Sequence, residues 1–296
     1  MADTITQVYG GRATITFHEL KHYYTVTVPG VCENLYQPSV TSAIGKLDKS
    51  AGLVPWAVEC MTNRAKELIN LGPTNPDRDS LHTILDAARE TWRRVKQESA
   101  DIGSFVHGWL EQELKGRSGV GVRPSFPVNS APGLTPEMIE KANLSIAAGR
   151  RFFDEHNIEI VQAEAPRWSP TFGYVGTGDL IARVDGDLAA LDYKTGKRLY
   201  PTVFLQLAAY QKAYEEEFTD QQIVKRIGVN VGRDGHLETA VRDNSTLERD
   251  FECFLALLTA WRWDRENQGK WSKSAPAVIG NLDVAIERSQ KTVVED

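Results

Sequence analysis

The feature that most constrains this chain is Gly176-Thr177-Gly178-Asp179, with Asp192-Tyr193-Lys194 beginning thirteen residues after Asp179. Residues 179–184 and 188–194 read as strands, and Asp185-Gly186 between them is a two-residue hairpin signal. With that loop, Val184 pairs with Asp187, and counting back along both strands sets Asp179 opposite Asp192. Opposed residues share a face, and so do residues two apart on one strand. Asp179, Asp192 and Lys194 are therefore expected to point the same way. Moving the loop to Gly186-Asp187 pairs Asp179 with Lys194 and keeps the shared face, whereas a three-residue loop destroys it. One face carries Leu180, Ala182, Val184, Ala189 and Leu191, while Ile181 and Ala190 lie beside the acids. That pattern predicts a hairpin buried on both sides, within an α/β sheet. Two carboxylates so placed repel one another unless a cation lies between them. A divalent metal and a nucleophilic water need such a set, with its lysine, to cut a phosphodiester. Taken alone, the hairpin equally fits a surface pair in which Asp192 and Lys194 are solvated.

The next segment adds weight. Pro201 suits the first position of a helix, and residues 202–214 have helical character. Gln206 and Tyr210 are four apart, so they share a helix face. They are placed to hold a phosphate or a water. The alternative is that Tyr210 belongs to a core stripe with Val203, Leu207 and Tyr214.

Gly-x-x-Asp, Asp-x-Lys and Gln-x-x-x-Tyr in that order, with the string Asp192-Tyr193-Lys194-Thr195-Gly196-Lys197, resembles the RecB-type branch of the PD-(D/E)XK nuclease superfamily. That branch includes phage-type exonucleases, mitochondrial genome maintenance exonucleases and CRISPR adaptation nucleases. It carries an upstream Gly-Thr/Ser-x-x-His, which Gly103-Ser104-Phe105-Val106-His107 matches, with Leu110-Glu111 continuing the pattern. The resemblance implies a restriction-endonuclease-like α/β core, a central mixed β-sheet flanked by helices, with a helical N-terminal lobe. It makes His107, Asp179, Asp192 and the carbonyl of Tyr193 ligands of Mg²⁺ or Mn²⁺, a sensible donor set for either ion. Lys194 becomes the group that positions water and stabilises the transition state, and Gln206 and Tyr210 assist it. Glu164, on the expected strand 158–164, is the candidate additional acid; its other reading is a rim residue paired with Arg167.

The implied activity is hydrolysis of DNA, by an exonuclease acting on ends with single strands preferred. A structure-specific endonuclease and a catalytically inactive nucleic-acid-binding protein on the same fold are the alternatives. The pattern Pro38-Ser39-Val40-Thr41, followed by Leu53-Val54-Pro55-Trp56, is also similar to phage and mitochondrial members. Ser39 and Thr41 are thus candidates to hold a phosphate at a helix start, or simply to cap that helix. Lys197 and Arg198, directly after the Asp-x-Lys motif, are candidate DNA contacts.

Composition permits all of this. The chain has 296 residues, 41% hydrophobic and 25% charged, enough for one nuclease domain. Net charge is −6, which opposes a DNA enzyme only weakly, because the local field along the strand matters more. An acidic protein with few phosphate contacts predicts a shallow salt dependence. Three scattered cysteines, Cys32, Cys60 and Cys253, are too few for the four-cysteine iron–sulfur cluster of some relatives. No apolar run reaches membrane-span length and the first residues lack signal-peptide character. The expected setting is cytoplasmic, in a bacterial host if the protein is phage-encoded.

Along the chain the pattern predicts a β-hairpin over 13–28, a mostly helical lobe over 36–157, a nuclease core over 158–268 and a polar tail over 272–296. Within the lobe, a helix over about 80–99 is expected to precede a separate His107 helix, with a Gly/Pro/Ser-rich loop over 116–136. Trp261 and Trp263 are expected to be buried, with stacking on bases as the alternative.

Overall fold

The structure, a computed structural model, describes residues 3–72, 76–267 and 278–295. Four antiparallel strands come first: β1 (Thr4–Val8), β2 (Ala13–His18), β3 (Tyr23–Val28) and β4 (Cys32–Gln37). The expected hairpin is thus the middle of a sheet, with β1 and β4 added at its edges. Five helices follow: α1 (Val40–Ile44), α2 (Ser50–Leu71), α3 (Arg78–Arg89), α4 (Thr91–Arg117) and α5 (Pro136–Glu155). The His107 helix is not separate, because α4 runs unbroken through Gly103. Ile102, Val106, Trp109, Leu110 and Leu114 recur on its buried side, and that periodicity outweighs one glycine. Gly103 is there for clearance: a Cβ would stand 3.2 Å from Oγ1 of Thr195.

The second sheet holds β5 (Ile158–Ser169), β6 (Tyr174–Val184), β7 (Asp187–Lys194), β8 (Lys225–Val231) and β9 (Leu237–Asp243), in that spatial order. Its pairs are antiparallel except β7 with β8, which is parallel. A parallel neighbour requires a long crossover, supplied here by α6 (Thr202–Glu217). Helices cover both faces. Ile102 and Leu110 of α4 and Ile146 and Phe152 of α5 pack on Leu180, Leu191 and Val229. Val203, Leu207 and Tyr214 of α6 pack on Ile181 and Ala190 of the other face. This mixed sheet between helices is the expected restriction-endonuclease-like architecture.

The central hairpin has the first of the two registers considered. Val184 pairs with Asp187 and Leu180 with Leu191. Asp185 and Gly186 have φ of 53° and 91°, as a turn matched to the twist of its strands requires. At the C-terminal end one expectation fails, the burial of Trp261 and Trp263. After α7 (Leu247–Asn267), the tail contains α8 (Leu282–Glu295), whose Leu282 and Ile286 join the core of the N-terminal sheet beside Val8, Ile15 and Trp168. Its polar residues dominate the composition, but Leu282 and Ile286, four apart, share a helix face. Trp263 is 64% exposed, and Trp261 stacks on Tyr36 with ring centroids 6.2 Å apart. Residues 73–75 of the expected lobe, 268 of the expected core, and 272–277 and 296 of the expected tail lie outside the described residues.

Candidate active site

The site begins as a row of three acids on neighbouring strands. Ala163 pairs with Leu180 and Ala165 with Gly178, so Glu164 of β5 lies across from Asp179 of β6. The β6–β7 register then sets Asp179 across from Asp192. Glu164 adopts a left-handed backbone, φ 46°, a strained choice for a non-glycine residue and one that recurs at functional sites. Against this row, α4 delivers His107, whose Nδ1 is 3.4 Å from Oδ2 of Asp179. One ligand atom each from His107, Glu164 and Asp179 lies within 4.8 Å of the others. Glu111, one turn beyond His107, lines the same crevice. Oδ2 of Asp179 also accepts the Tyr193 N–H at 2.7 Å, which fixes the carboxylate against the Asp-x-Lys end of β7.

Asp192 differs from its neighbours. It is fully buried and the Lys194 ammonium pairs with its Oδ2, yet among the described residues no aligned hydrogen-bond donor satisfies either oxygen. A buried carboxylate in that condition is costly. The imidazole and carboxylates suit Mg²⁺ or Mn²⁺, so the residues present fit a divalent ion. The charges respond to one another. Burial, then Asp179, pushes the Asp192 carboxyl up to about 6, against the pull of Lys194. Burial also works against ionised Asp179, but His107 and Lys194 outweigh it and hold that carboxyl low. Desolvation and Asp179 lift Glu164 to about 7. For His107 and Lys194 burial opposes the charged form; Asp179 prevails at His107 and Asp192 at Lys194, so both are raised.

On the α6 side, Gln206 Nε2 donates to the Tyr210 hydroxyl at 2.9 Å. Tyr210 is buried, as its core reading requires, and its closeness to Asp192 helps raise its pKa. Gly176 and Gly178 make room for it. A Cβ on Gly176 would stand 2.6 Å from the Tyr210 ring and 2.8 Å from Val40. Gly176→Ala is therefore expected to cost about 1–3 kcal/mol through overpacking, read as a lower urea midpoint; an unchanged midpoint would contradict this packing.

The other candidates are less central. The Ser39 hydroxyl accepts the Ser42 N–H at 3.0 Å and sits 3.1 Å from Oγ1 of Thr41. Ser39 thus caps the five-residue α1, the simpler of its two readings. Lys197 and Arg198 are exposed, with the Arg198 guanidinium over the Tyr200 ring at 4.9 Å. Glu164 is not the partner of Arg167. That guanidinium is buried and donates to the Ala165 carbonyl at 3.0 Å and Oε1 of Gln162 at 3.3 Å. Burial depresses its pKa to about 10. It places a cation behind the acids and Tyr210, and nothing in the alternating β5 sequence singled it out.

A family model for the PD-(D/E)XK nuclease superfamily matches residues 79–262, an interval that holds the whole row of acids, His107, Lys194 and Tyr210. Among solved structures, a provisionally assigned exonuclease from Eubacterium rectale is similar at 14% identity and a TM-score of 0.35, over 55% of this chain and 66% of that chain. The matched part is slightly under two thirds of that protein's length. No curated protein matches the sequence.

Proposed function

The chain belongs to the PD-(D/E)XK nuclease superfamily, and from that premise we propose that it is a divalent-metal-dependent deoxyribonuclease of the RecB-type branch, acting as an exonuclease on DNA ends with single strands preferred. The observation that carries this reading is the convergence of His107, Glu164 and Asp179 beside the buried Asp192–Lys194 pair. His107, Glu164, Asp179 and Asp192, with the carbonyl of Tyr193, would hold Mg²⁺ or Mn²⁺. When bound, such an ion supplies positive charge against the phosphate and makes water more acidic.

The chain's own groups do the rest. Lys194 stays protonated because two carboxylates raise its pKa. Its ammonium orients a water and offsets charge on the attacked phosphate. The Tyr193 N–H holds Asp179 in place, and Gln206 and Tyr210 steady the strand. Lys197 and Arg198 meet the phosphates beyond the cut, and Ser39 and Thr41 border the other side. The preference for ends rests on the helical lobe over the site and on the family resemblance. Among the described residues no helix is long and apolar enough to cross a membrane, which accords with work on DNA in a bacterial or host cytoplasm, in recombination, repair or degradation.

The test is an assay with end-labelled single- and double-stranded DNA, circular single-stranded DNA and RNA, with Mg²⁺, Mn²⁺ or chelator. Mononucleotide release from linear DNA that stops in chelator is the expected result. Rapid cutting of the circle would overturn end dependence, and binding without cutting would point to an inactive fold.

A further inference from the structure

The two sheets leave a groove between them that, apart from Glu164, the candidate chemistry does not use. The core beneath the N-terminal sheet includes Ile15, Val26, Trp168 and Val175. Toward the acids that core opens instead of closing. Ile15, Phe17 and Tyr24 form one wall, Pro166 and Thr177 the other, and Glu164 stands at the end. The space is about 310 Å³, at the lower end of small-molecule pockets. It suits one flat heterocycle and is too small for a helix or a second subunit. The Phe17 and Tyr24 rings lie 4.8 Å apart. The Tyr24 hydroxyl is 3.0 Å from Oγ1 of Thr177, which ties the aromatic wall to β6 two residues before Asp179.

We propose that this groove is a base subsite, in which one nucleobase of the substrate strand stacks on Phe17 while its backbone lies along the metal-ligand cluster. The inference rests on the nuclease reading above. Continuity supports it, because Glu164 lines both the groove and the crevice with His107 and Asp179. Chemistry supports it too. An aromatic face accepts any base, the Thr177 hydroxyl offers an acceptor to ring N–H groups, and among the described residues no cation lines the walls to draw a phosphate in. The N-terminal sheet is thereby a part of the site and not merely a cover for β5 and β6.

The test measures fluorescence anisotropy in an Asp192→Asn background that does not cut. The probes are a labelled oligothymidylate and the same strand made abasic. Phe17→Leu is expected to weaken oligothymidylate binding roughly 5- to 150-fold, the span of one lost base–aromatic stack. It should leave abasic-strand binding nearly unchanged, and Phe17→Trp should keep the affinity for oligothymidylate. Thermal melting of each variant reports whether it is folded. Equal losses on both strands, or none on either, from folded Phe17→Leu protein overturn the subsite. If the wild-type protein neither cuts nor binds any strand, the nuclease reading itself falls, and the subsite with it.

Discussion

Lys194→Ala is expected to lower the rate of phosphodiester hydrolysis by about 10²–10⁴-fold, the usual cost of losing a positioned acid–base or charge-stabilising group. The effect has two sources. The ammonium proposed to orient the water and offset charge on the phosphate is gone. Asp192, fully buried with Lys194 as its ion-pair partner, also loses the charge that holds its carboxyl down. Its pKa then rises beyond about 6, and because ligands must be deprotonated, metal affinity falls. Single-turnover rates measured against pH separate the two contributions. Alkaline pH and excess Mn²⁺ should recover the part due to Asp192 but not the part due to the missing ammonium. Wild-type rates from folded Lys194→Ala protein would remove Lys194 from the chemistry.

Asp192→Asn should abolish turnover and yet stabilise the metal-free protein at neutral pH. The carboxyl titrates near pH 6 in the folded chain against an ordinary value of 3.8. The folded state therefore binds the extra proton, and stability rises as pH falls from about 7 toward 4. Glu164, raised to about 7, acts in the same direction. So does His107: its stabilising charge is fully present below its ordinary 6.5 and is lost as pH rises through the raised folded value. Asp179 has the opposite sign, but its window lies below 3.8, and that of Lys194 lies above 10.5. In chelator, then, the melting temperature should climb between about pH 8 and pH 5. Mg²⁺ or Mn²⁺ should reverse that slope, since binding favours the deprotonated ligands. Removing the Asp192 charge should add roughly 1–3 kcal/mol at pH 8, a shift of several degrees. A lower melting temperature for Asp192→Asn than for wild type in chelator would contradict the strain assigned to this carboxylate.

Most of the candidate site was legible because its parts are local. Asp185-Gly186 sets a two-residue turn, and the strand period then decides which residues oppose one another, so the Asp179–Asp192 relation follows by counting. The four-residue spacing of Gln206 and Tyr210 follows from helix geometry in the same way. His107 was reached through motif order, while the length of its helix was not, because Gly103 looks like an interruption until Thr195 is seen beside it. Glu164 was placed on the correct strand, but its relation to Arg167 was open. Only the left-handed backbone at Glu164 and the burial of Arg167 over the Tyr214 ring separate the two.

Beyond the mixed sheet that the family resemblance implies, the sequence by itself determined the central hairpin, the helix after Pro201 and the order of chemical motifs. Each of these is a matter of periodicity or spacing within a few dozen residues. The tertiary structure alone decided which distant groups meet: His107 with Glu164 and Asp179, Leu282 with the N-terminal sheet, and Phe17 and Tyr24 with the strands that carry the acids. Such meetings depend on packing between elements far apart in the chain. Side-chain volume and the clearance left by Gly103, Gly176 and Gly178 govern that packing, and no local pattern records it.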